Sequence, residues 1–579
     1  MKNFISLFLV VCSTFLFNII SAPKNTIDYS LDSLIVTLTH EESMKFKDYN
    51  SNDFGIEAYA TIECINGAYS RITYNLCNGL MDYKSEEQEK FFSKINPEYY
   101  YKILKINLFE QNADTLGFVE ELLLSNPIVE NVDKNYYINL NYNETFLNEK
   151  VYSQRSLQIN VMESMKIIEA RTAYNNSSTT SPVNVCILDS GVMSNHEDFN
   201  YIDLVNPLNN YCVVDVDNSY DFISNSSYTS EVVDSTNHGT AIAGIIAAIQ
   251  NNDAGIDGIC NKANIISYKV HQNDSEPGLI SNCITAIDRA LFYSEMNTIP
   301  IQLFNCSFNF YSYSNSLESA MRYYPGLFVC SAGNAYLDLE ATPSYPACFD
   351  NPNILCVGAL TNSGYLWIGE SNYYDNIQDG SNYGTPVDFY ALGSDVYSLS
   401  NTSTNSYGLF TGTSFACPYV TGAAALLISQ GYDPYEAKQT LLNTKVNNLV
   451  SPSYKIVNIY SWSNTNLIHT HNLGHYNALS DLVLKHKSLY CSVCGLYYFS
   501  VVQTEISYTN TSHTFYCSMC ENNYNDTHKY EYLDVGDAGH KKYCKHCQYY
   551  KIVNHIWQNY PFGGYICSIC GHITGLIHD

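Results

Sequence analysis

The sequence predicts an α/β fold with a mainly parallel sheet, preceded by a small α+β unit and followed by a repeat region rich in cysteine and histidine. Three observations lead there. Between about residues 158 and 462, short runs rich in Val, Ile, Leu and Cys read as strands buried on both faces: VNVCILDSG from Val183, ANIISYKV from Ala263, QLFNCSF from Gln302, GLFVCSAGN from Gly326 and NILCVGAL from Asn353. Helical patterns stand between them, among them HGTAIAGIIAAI from His238, LISNCITAIDRALFYS from Leu279 and SFACPYVTGAAALLISQ from Ser414. On either side of this stretch the periodicity and the composition change.

Taken in order, the chain opens with Lys2, a mostly apolar run, and then Ser21 and Ala22. That is the pattern of a cleaved signal peptide over residues 1–22, with a membrane anchor as the competing reading. Sequons at Asn143, Asn175, Asn225, Asn401 and Asn510 agree with a secretory route, extracellular, cell-surface or lysosome-like. Another, at Asn305, falls in a buried strand. From residue 23 to about 141, SLIVTL and YKILKINLF read as strands, ADTLGFVEELLLS as an amphipathic helix and VENVDKNYYINLN as a closing strand. Cys64 and Cys77 are candidates for a bridge inside this unit. NYNETFLNEKVYSQRSL, from Asn141, reads as a linker. The expected division is therefore 1–22, 23–155, 156–465 and 466–579.

Charged residues are only 15% of the 579, and 57 acidic against 29 basic residues leave a net charge of −28. Such a chain is repelled by phosphate backbones, and no local basic patch offsets this, so nucleic-acid binding is excluded.

Four element ends carry reactive groups. Asp189 closes the strand VNVCIL, His238 opens a helix, Asn334 follows the strand GLFVC, and Ser414 opens the apolar helix behind Gly412 and Thr413. A serine at a helix mouth presents its hydroxyl to a cleft and its own N–H toward developing negative charge. Singly, each residue reads equally well as a cap, a turn or a satisfied core group. In the order Asp, His, Ser they match one of the three familiar triad orders.

At this point the chain resembles the subtilisin-like serine proteases, through Asp-Ser-Gly at 189–191, His-Gly-Thr at 238–240, Ala-Gly-Asn at 332–334 and Gly-Thr-Ser at 412–414. The resemblance spans roughly residues 158–450. It implies a subtilisin-like three-layer domain and a secreted serine endopeptidase made as a self-processed precursor. Ser414 is then the nucleophile, His238 the general base, Asp189 its orienting acid, and Asn334 an oxyanion donor. It also implies substrate walls at Asn305, Cys306, Ser307, Phe308 and Asn309 and at Ser331, Ala332 and Gly333. An edge that pairs with substrate falls at Ser275, Glu276, Pro277 and Gly278. Asn309 and Pro277 replace glycines common in the family, and Cys417 and Tyr419 depart from it beside Pro418. Asp338 and Glu340 read as a solvated loop, with a preference for basic substrates as the alternative. A calcium site is implied at Asp198 and Asn252, with carbonyls from Ile249, Ala254 and Ile256. The first unit resembles the family's inhibitor-like propeptide, with maturation expected near Asn141 or at Arg155-Ser156.

The tail holds eleven of the fifteen histidines and eight of the twenty cysteines. Its Cys-x-x-Cys pairs, Cys491/Cys494, Cys517/Cys520, Cys544/Cys547 and Cys567/Cys570, recur at spacings of 26, 27 and 23 residues. They suit zinc or, in an oxidising compartment, disulfides. Among the protease-region cysteines, Cys348 and Cys356 are a candidate bridge, and Cys186 and Cys417 are expected to be free. The competing function is a catalytically inactive protease fold that binds protein partners or surfaces through this tail.

Overall fold

The structure, a computed structural model, describes residues 28–140, 143–146, 181–201, 211–227, 234–250, 252, 254–273, 277–371, 378–447 and 454–457, together with short strands between 473 and 574. It divides into two compact units, 1–466 and 467–579.

Within the first compact unit, residues 28–140 form a four-stranded antiparallel sheet in the order Ala60–Cys64, Ile103–Leu108, Tyr29–Leu38, Val129–Tyr136. Alternation along Tyr29–Leu38 divides its side chains between two cores. Leu34, Val36 and Leu38 meet Leu116, Val119 and Leu123 of the helix Ala113–Leu124, whereas Ile35 joins the larger core on the other face. The helices Gly67–Cys77 and Glu86–Phe92, where the sequence showed only an insertion, add Tyr69, Ile72, Phe91 and Phe92 to that larger core. The expected Cys64–Cys77 bridge is absent. Cys64 lies on a strand with its thiol directed to Asn66 Oδ1 at 3.8 Å, and Cys77 ends the following helix.

The larger core is built on a ten-stranded sheet. Eight neighbouring strands run parallel, in the order Tyr220–Asp221, Ala263–Lys269, Val183–Asp189, Ile301–Cys306, Leu327–Ser331, Ile354–Leu360, Phe389–Leu392 and Lys455–Ile456. Antiparallel pairs of residues close both edges. The chain steps from Val183–Asp189 to Ala263–Lys269 on one side, then returns to Ile301–Cys306 on the other. That reversal opens a crevice at the carboxyl end of Val183–Asp189, where ligands bind in such sheets. The helices His238–Ala247 and Thr413–Ser429 pack together beside the sheet. Every residue of both is buried.

All eleven cysteines with described side chains are free. The expected Cys348–Cys356 bridge is absent: Cys356 is turned into the core on Ile354–Leu360, opposite Cys330 of the neighbouring strand. Burial pushes both thiols well above their usual range. Cys186 and Cys417 are buried and unbonded.

The second compact unit repeats one backbone motif four times, a three-stranded antiparallel sheet. The middle strands, Ser488–Cys491, Ser512–Cys517, His540–Cys544 and Tyr565–Cys567, each end on the first cysteine of a pair. Cys494, Cys520, Cys547 and Cys570 lie outside the described residues.

Candidate active site

Asp189 is the last residue of its strand, 1% exposed, and both carboxylate oxygens face His238 Nδ1, at 2.8 and 2.9 Å. Its other partners are the Ser190 N–H at 2.7 Å and the Ser190 hydroxyl at 3.1 Å. The same hydroxyl lies 2.7 Å from Asp234 Oδ1, and the second Asp234 oxygen accepts the Thr240 N–H at 2.8 Å. Asp234 thereby ties the first turn of the His238 helix to the end of the Asp189 strand. Burial pushes its carboxyl above the ordinary range, against the pull of these donors. Gly239 allows the close approach: a Cβ there would fall 2.0 Å from Gly191 O and 3.2 Å from Asp189 Oδ1. Asn237, at φ 69°, turns the chain into the helix, and its Oδ1 accepts from the Asn401 N–H and the Ser400 hydroxyl. The Phe415 ring meets His238 edge-on, with centroids 5.2 Å apart.

Ser414 sits in the first turn of Thr413–Ser429 and is 2% exposed. Its hydroxyl donates to Ser307 O at 3.2 Å, and the Ser307 hydroxyl donates back to Ser414 O at 2.9 Å. Asn334 Oδ1 accepts from the Thr413 N–H at 2.8 Å and the Thr413 hydroxyl at 2.7 Å, which orients the amide beside the helix mouth. The Gly333 N–H donates to Thr413 Oγ1 at 3.1 Å, so the second wall is pinned to the same residue.

The cleft beside Ser414 is filled by the protein's own chain. Tyr137 bridges Leu279, and the Ile138 N–H donates to Gly278 O at 2.9 Å. Asn139 and Asn309 exchange both backbone hydrogen bonds, at 2.9 and 3.0 Å. Ile138 and Leu140 are buried. Gly278 admits Ile138, whose side chain would lie 2.9 Å from a Cβ at that position. Residues 143–146 resume as a strand against Ser406–Thr411, with Asn143 opposite Thr411.

Of the expected wall residues, Ser307 bonds Ser414, Asn309 pairs with Asn139 and Gly333 is tied to Thr413, whereas Ser331 and Ala332 are buried against Val357 of the neighbouring strand. Asn305 and Cys306 lie behind the cleft in the core: Asn305 donates to Ser307 Oγ and accepts from Thr421 Oγ1, both at 2.8 Å. Phe308 is also buried. Pro277 and Gly278 lie on the edge segment, while Ser275, Glu276, Asn141 and Arg155 fall outside the described residues. Asp338 accepts from the Glu340 N–H, and Glu340 accepts from Thr385 of a separate segment, so the one holds its loop and the other ties that loop to the 385 turn. Cys417 Sγ donates to Val329 O at 3.2 Å, and Tyr419 is buried.

The residues expected to hold calcium come from two segments that touch, the turn Glu197–Phe199 and the loop that carries Asn252. The buried Asp198 accepts from Asn252 Nδ2 and from the Ile256 N–H, both at 2.9 Å, and Asn252 Oδ1 accepts from the Ala254 N–H at 3.2 Å. The Ile249 N–H donates to Asp198 O at 2.8 Å. Burial raises the Asp198 carboxyl above its usual range. Among the described residues no three His, Cys, Asp or Glu side chains converge on a metal position. From Ile249, Ala254 and Ile256 the groups that reach Asp198 and Asn252 are N–H donors and not the expected carbonyls, so of the expected ligand set only the Asp198 carboxylate and the Asn252 amide oxygen are donor types a hard cation takes.

Asp234 escaped the sequence reading, and Thr413 entered it only as part of Gly-Thr-Ser, without its contacts to Asn334 and Gly333. Asp234 stands in a Ser/Thr-rich turn ahead of a helix, a pattern that signals a cap and nothing more. Asn401, read as a sequon, directs its side-chain amide to Asp234 O.

A peptide strand lying in a cleft whose floor carries a helix-mouth serine and a carboxylate-clasped imidazole points to the serine hydrolases as a class. Comparison supplies the family. Residues 180–473, just over half of the chain, match the subtilase family, and the protein belongs to it. It is similar to a thermophilic serine proteinase of Bacillus sp. (strain AK1), at 27% identity over 407 residues, covering 68% of this chain and 88% of that protein. It is similar also to thermitase of Thermoactinomyces vulgaris, at 31% over 270 residues, 46% of this chain and 81% of that one. Among solved structures, a cold adapted subtilisin-like serine proteinase aligns at 26% identity over 49% of this chain and 91% of its own, with a TM-score of 0.37. The protein is thus a serine-type endopeptidase acting on proteins or peptides.

Proposed function

We propose that Ser414 Oγ attacks the peptide carbonyl while His238 takes its proton and passes it to the leaving amine. Asp189 holds the imidazole with Nδ1 protonated and stabilises its charged form. The Asn334 amide and the Ser414 N–H bind the oxyanion, each such donor contributing on the order of 10²–10³ in turnover. The observation that carries this reading is the Asp189–His238 clasp, at 2.8 and 2.9 Å, opening on the cleft in which residues 137–140 are paired.

The protein's first substrate is then itself. Asn139 pairs with Asn309 on one side of Ser414, and Asn143 pairs with Thr411, three residues ahead of Ser414, on the other. Only residues 140–142 lie between, which favours Asn141–Tyr142 over Arg155–Ser156 as the first bond cut. Residues 28–140 remain afterwards as an inhibitor. The proposed division remains 1–22, 23–155, 156–465 and 466–579, with the first cut falling inside the second segment, and Lys2 and the apolar run to Ala22 direct the chain to the secretory route. No described helix is long and apolar enough to cross a membrane.

Calcium, held by Asp198 and Asn252, would neutralise a buried carboxylate and stiffen the loop behind the His238 helix. Zinc or disulfides in the tail follow from the Cys-x-x-Cys repeat alone, and metal analysis of the purified protein with thiol titration separates them.

Wild type expressed beside Ser414→Ala tests the catalytic reading. Wild type should react with a serine-directed fluorophosphonate and yield a new N-terminus between residues 140 and 143, and the variant should do neither. Identical processing of both, without labelling, would leave the inactive-fold reading in its place.

A further inference from the structure

Where the helix Gly67–Cys77 of the first unit meets the helix Ile280–Met296, the two leave a cavity of about 340 Å³ between them. That is the lower end of the volumes in which small ligands are held, about 300–1,000 Å³. The first unit supplies Gly67, Ala68 and Arg71 to its wall, and Ile280–Met296 supplies Asp288, Arg289 and Phe292. Tyr220, on the edge strand of the large sheet, and Phe222 beyond it complete the wall from a third segment.

The charges on this wall are not all answered. Arg71 is bound to Glu295, with Nε 3.2 Å from Oε2. Asp288 is taken up by the Ala68 and Tyr69 N–H groups, at 3.2 and 3.1 Å. Arg289 is half-buried, and among the described residues no carboxylate, carbonyl or hydroxyl accepts from it. Its guanidinium lies instead over the face of the Tyr220 ring, 4.1 Å from the centroid. Stacking engages the flat side of a guanidinium and leaves the N–H donors around its edge to be filled. Arg71 lies over Phe292 in the same manner, 5.3 Å from that centroid, but its edge is already occupied by Glu295.

We infer that this cavity binds a small organic monocarboxylate, its carboxylate on the edge of Arg289 and its apolar body among the rings of Tyr220, Phe222 and Phe292. Nothing in this depends on the role of Ser414. A carboxylate matches the paired donors of a guanidinium in geometry and charge. One negative charge answers Arg289, whereas a second would be opposed by the ionised Asp288 carboxyl on the same wall. The volume exceeds what a bare ion fills, and the remaining wall is largely aromatic, so the rest of the ligand is apolar. Because the first unit forms one side of the wall, the complete site exists only while that unit is bound. By linkage, the ligand must then strengthen its binding.

The test uses the full-length Ser414→Ala chain, with benzoate as the probe and benzyl alcohol and inorganic phosphate beside it, all followed by calorimetry. Benzoate should bind with a Kd on the order of 1 mM or tighter, and the other two at least about tenfold more weakly. Arg289→Gln should cost benzoate at least about tenfold, and Arg289→Lys, which keeps the charge and loses the fork, should recover only part of that. Thermal unfolding without benzoate checks that each variant is folded; if neither is, the three affinities of the parent chain decide. No benzoate binding by about 10 mM, equal binding of benzyl alcohol, tighter binding of phosphate, or undiminished binding by folded Arg289→Gln overturns the inference. A second arm rests on the proposed maturation and follows inhibition of the processed enzyme by its retained first unit. Benzoate at about ten times its Kd should tighten that inhibition about elevenfold. Unchanged inhibition would overturn the placement of the ligand between the two helices. Absence of any inhibition would overturn the maturation instead, and the binding arm would decide.

Discussion

The core beneath Ser414 and the surface on which residues 28–140 rest are held by opposite means. The helix Thr413–Ser429 is buried at every position, among strands buried along nearly their whole length. The other surface works by exchanging helix caps. From the first unit, Asp133 accepts the Ser316 N–H at 2.8 Å and Asn135 the Ser281 N–H at 3.1 Å, at the starts of Asn315–Tyr323 and Ile280–Met296. Gln88 Nε2 donates to the carbonyls of Ser294, Glu295 and Asn297 at the far end of Ile280–Met296, at 2.8, 2.9 and 3.0 Å. In return Asp288, on that helix, accepts the Ala68 and Tyr69 N–H groups at 3.2 and 3.1 Å, opening Gly67–Cys77. Orphan groups at helix ends need partners, and water is an adequate replacement for each of these. A surface of exchanged caps is specific, and it suits the release that the proposed maturation requires.

Breaking the core side should have the largest effects. Ser414→Ala, or His238→Ala, is expected to lower turnover by at least about 10⁴-fold; that scale is borrowed from subtilisin, a member of the same family. Single-turnover peptide hydrolysis by the processed enzyme measures it, and loss of only tenfold would move the nucleophile elsewhere. Asn334→Leu should cost about 10²–10³ in kcat with little change in KM if its amide takes the proposed place on the oxyanion. A pure KM effect would instead make Asn334 a binding residue.

The interface side should respond to pH. Burial raises the Asp288 carboxyl to about 7, against the pull of the Tyr69 and Ala68 N–H groups and the Arg71 charge. Tyr69, Tyr323 and Cys64 also face it. On the proposed maturation residues 28–140 leave, and Asp288 would return to the ordinary carboxylate range near 4. The bound state thus favours the protonated acid, so binding is tightest below about pH 4, weakens as pH climbs toward about 7, and levels off above. Inhibition of the processed enzyme by its retained first unit, followed across this range, should show the trend, and Asp288→Asn should flatten it. Tighter inhibition at neutral than at acid pH would contradict the assignment. The smallest effect belongs to Asp133→Ala. Loss of one cap of about 1 kcal/mol should weaken inhibition about fivefold and leave peptide hydrolysis after release unchanged. A drop in the released enzyme's turnover would show that the cap serves the core as well.

Much of the fold was legible because buried parallel strands read as unbroken apolar runs. The runs at Val183, Ala263, Gln302, Gly326 and Asn353 all became strands of one sheet. The helix Gly67–Cys77 was missed because its buried face is Ala68, Tyr69, Ile72 and Thr73, a mixed set that becomes apolar only against Tyr323 and its neighbours. Spacing alone proposed bridges at Cys64–Cys77 and Cys348–Cys356, but a disulfide depends on where Cβ vectors point, which spacing does not record.

By itself the sequence determined the α/β class and the order in which Asp189, His238, Asn334 and Ser414 come off their elements, since periodicity and strand ends are local properties of the chain. Tertiary structure alone decided that Asp234 braces the Asp189–His238 pair, that residues 137–140 occupy the cleft, and that Arg71 and Arg289 line one cavity. Each of these joins residues far apart in sequence, and no local pattern encodes a contact that exists only when the chain has closed on itself.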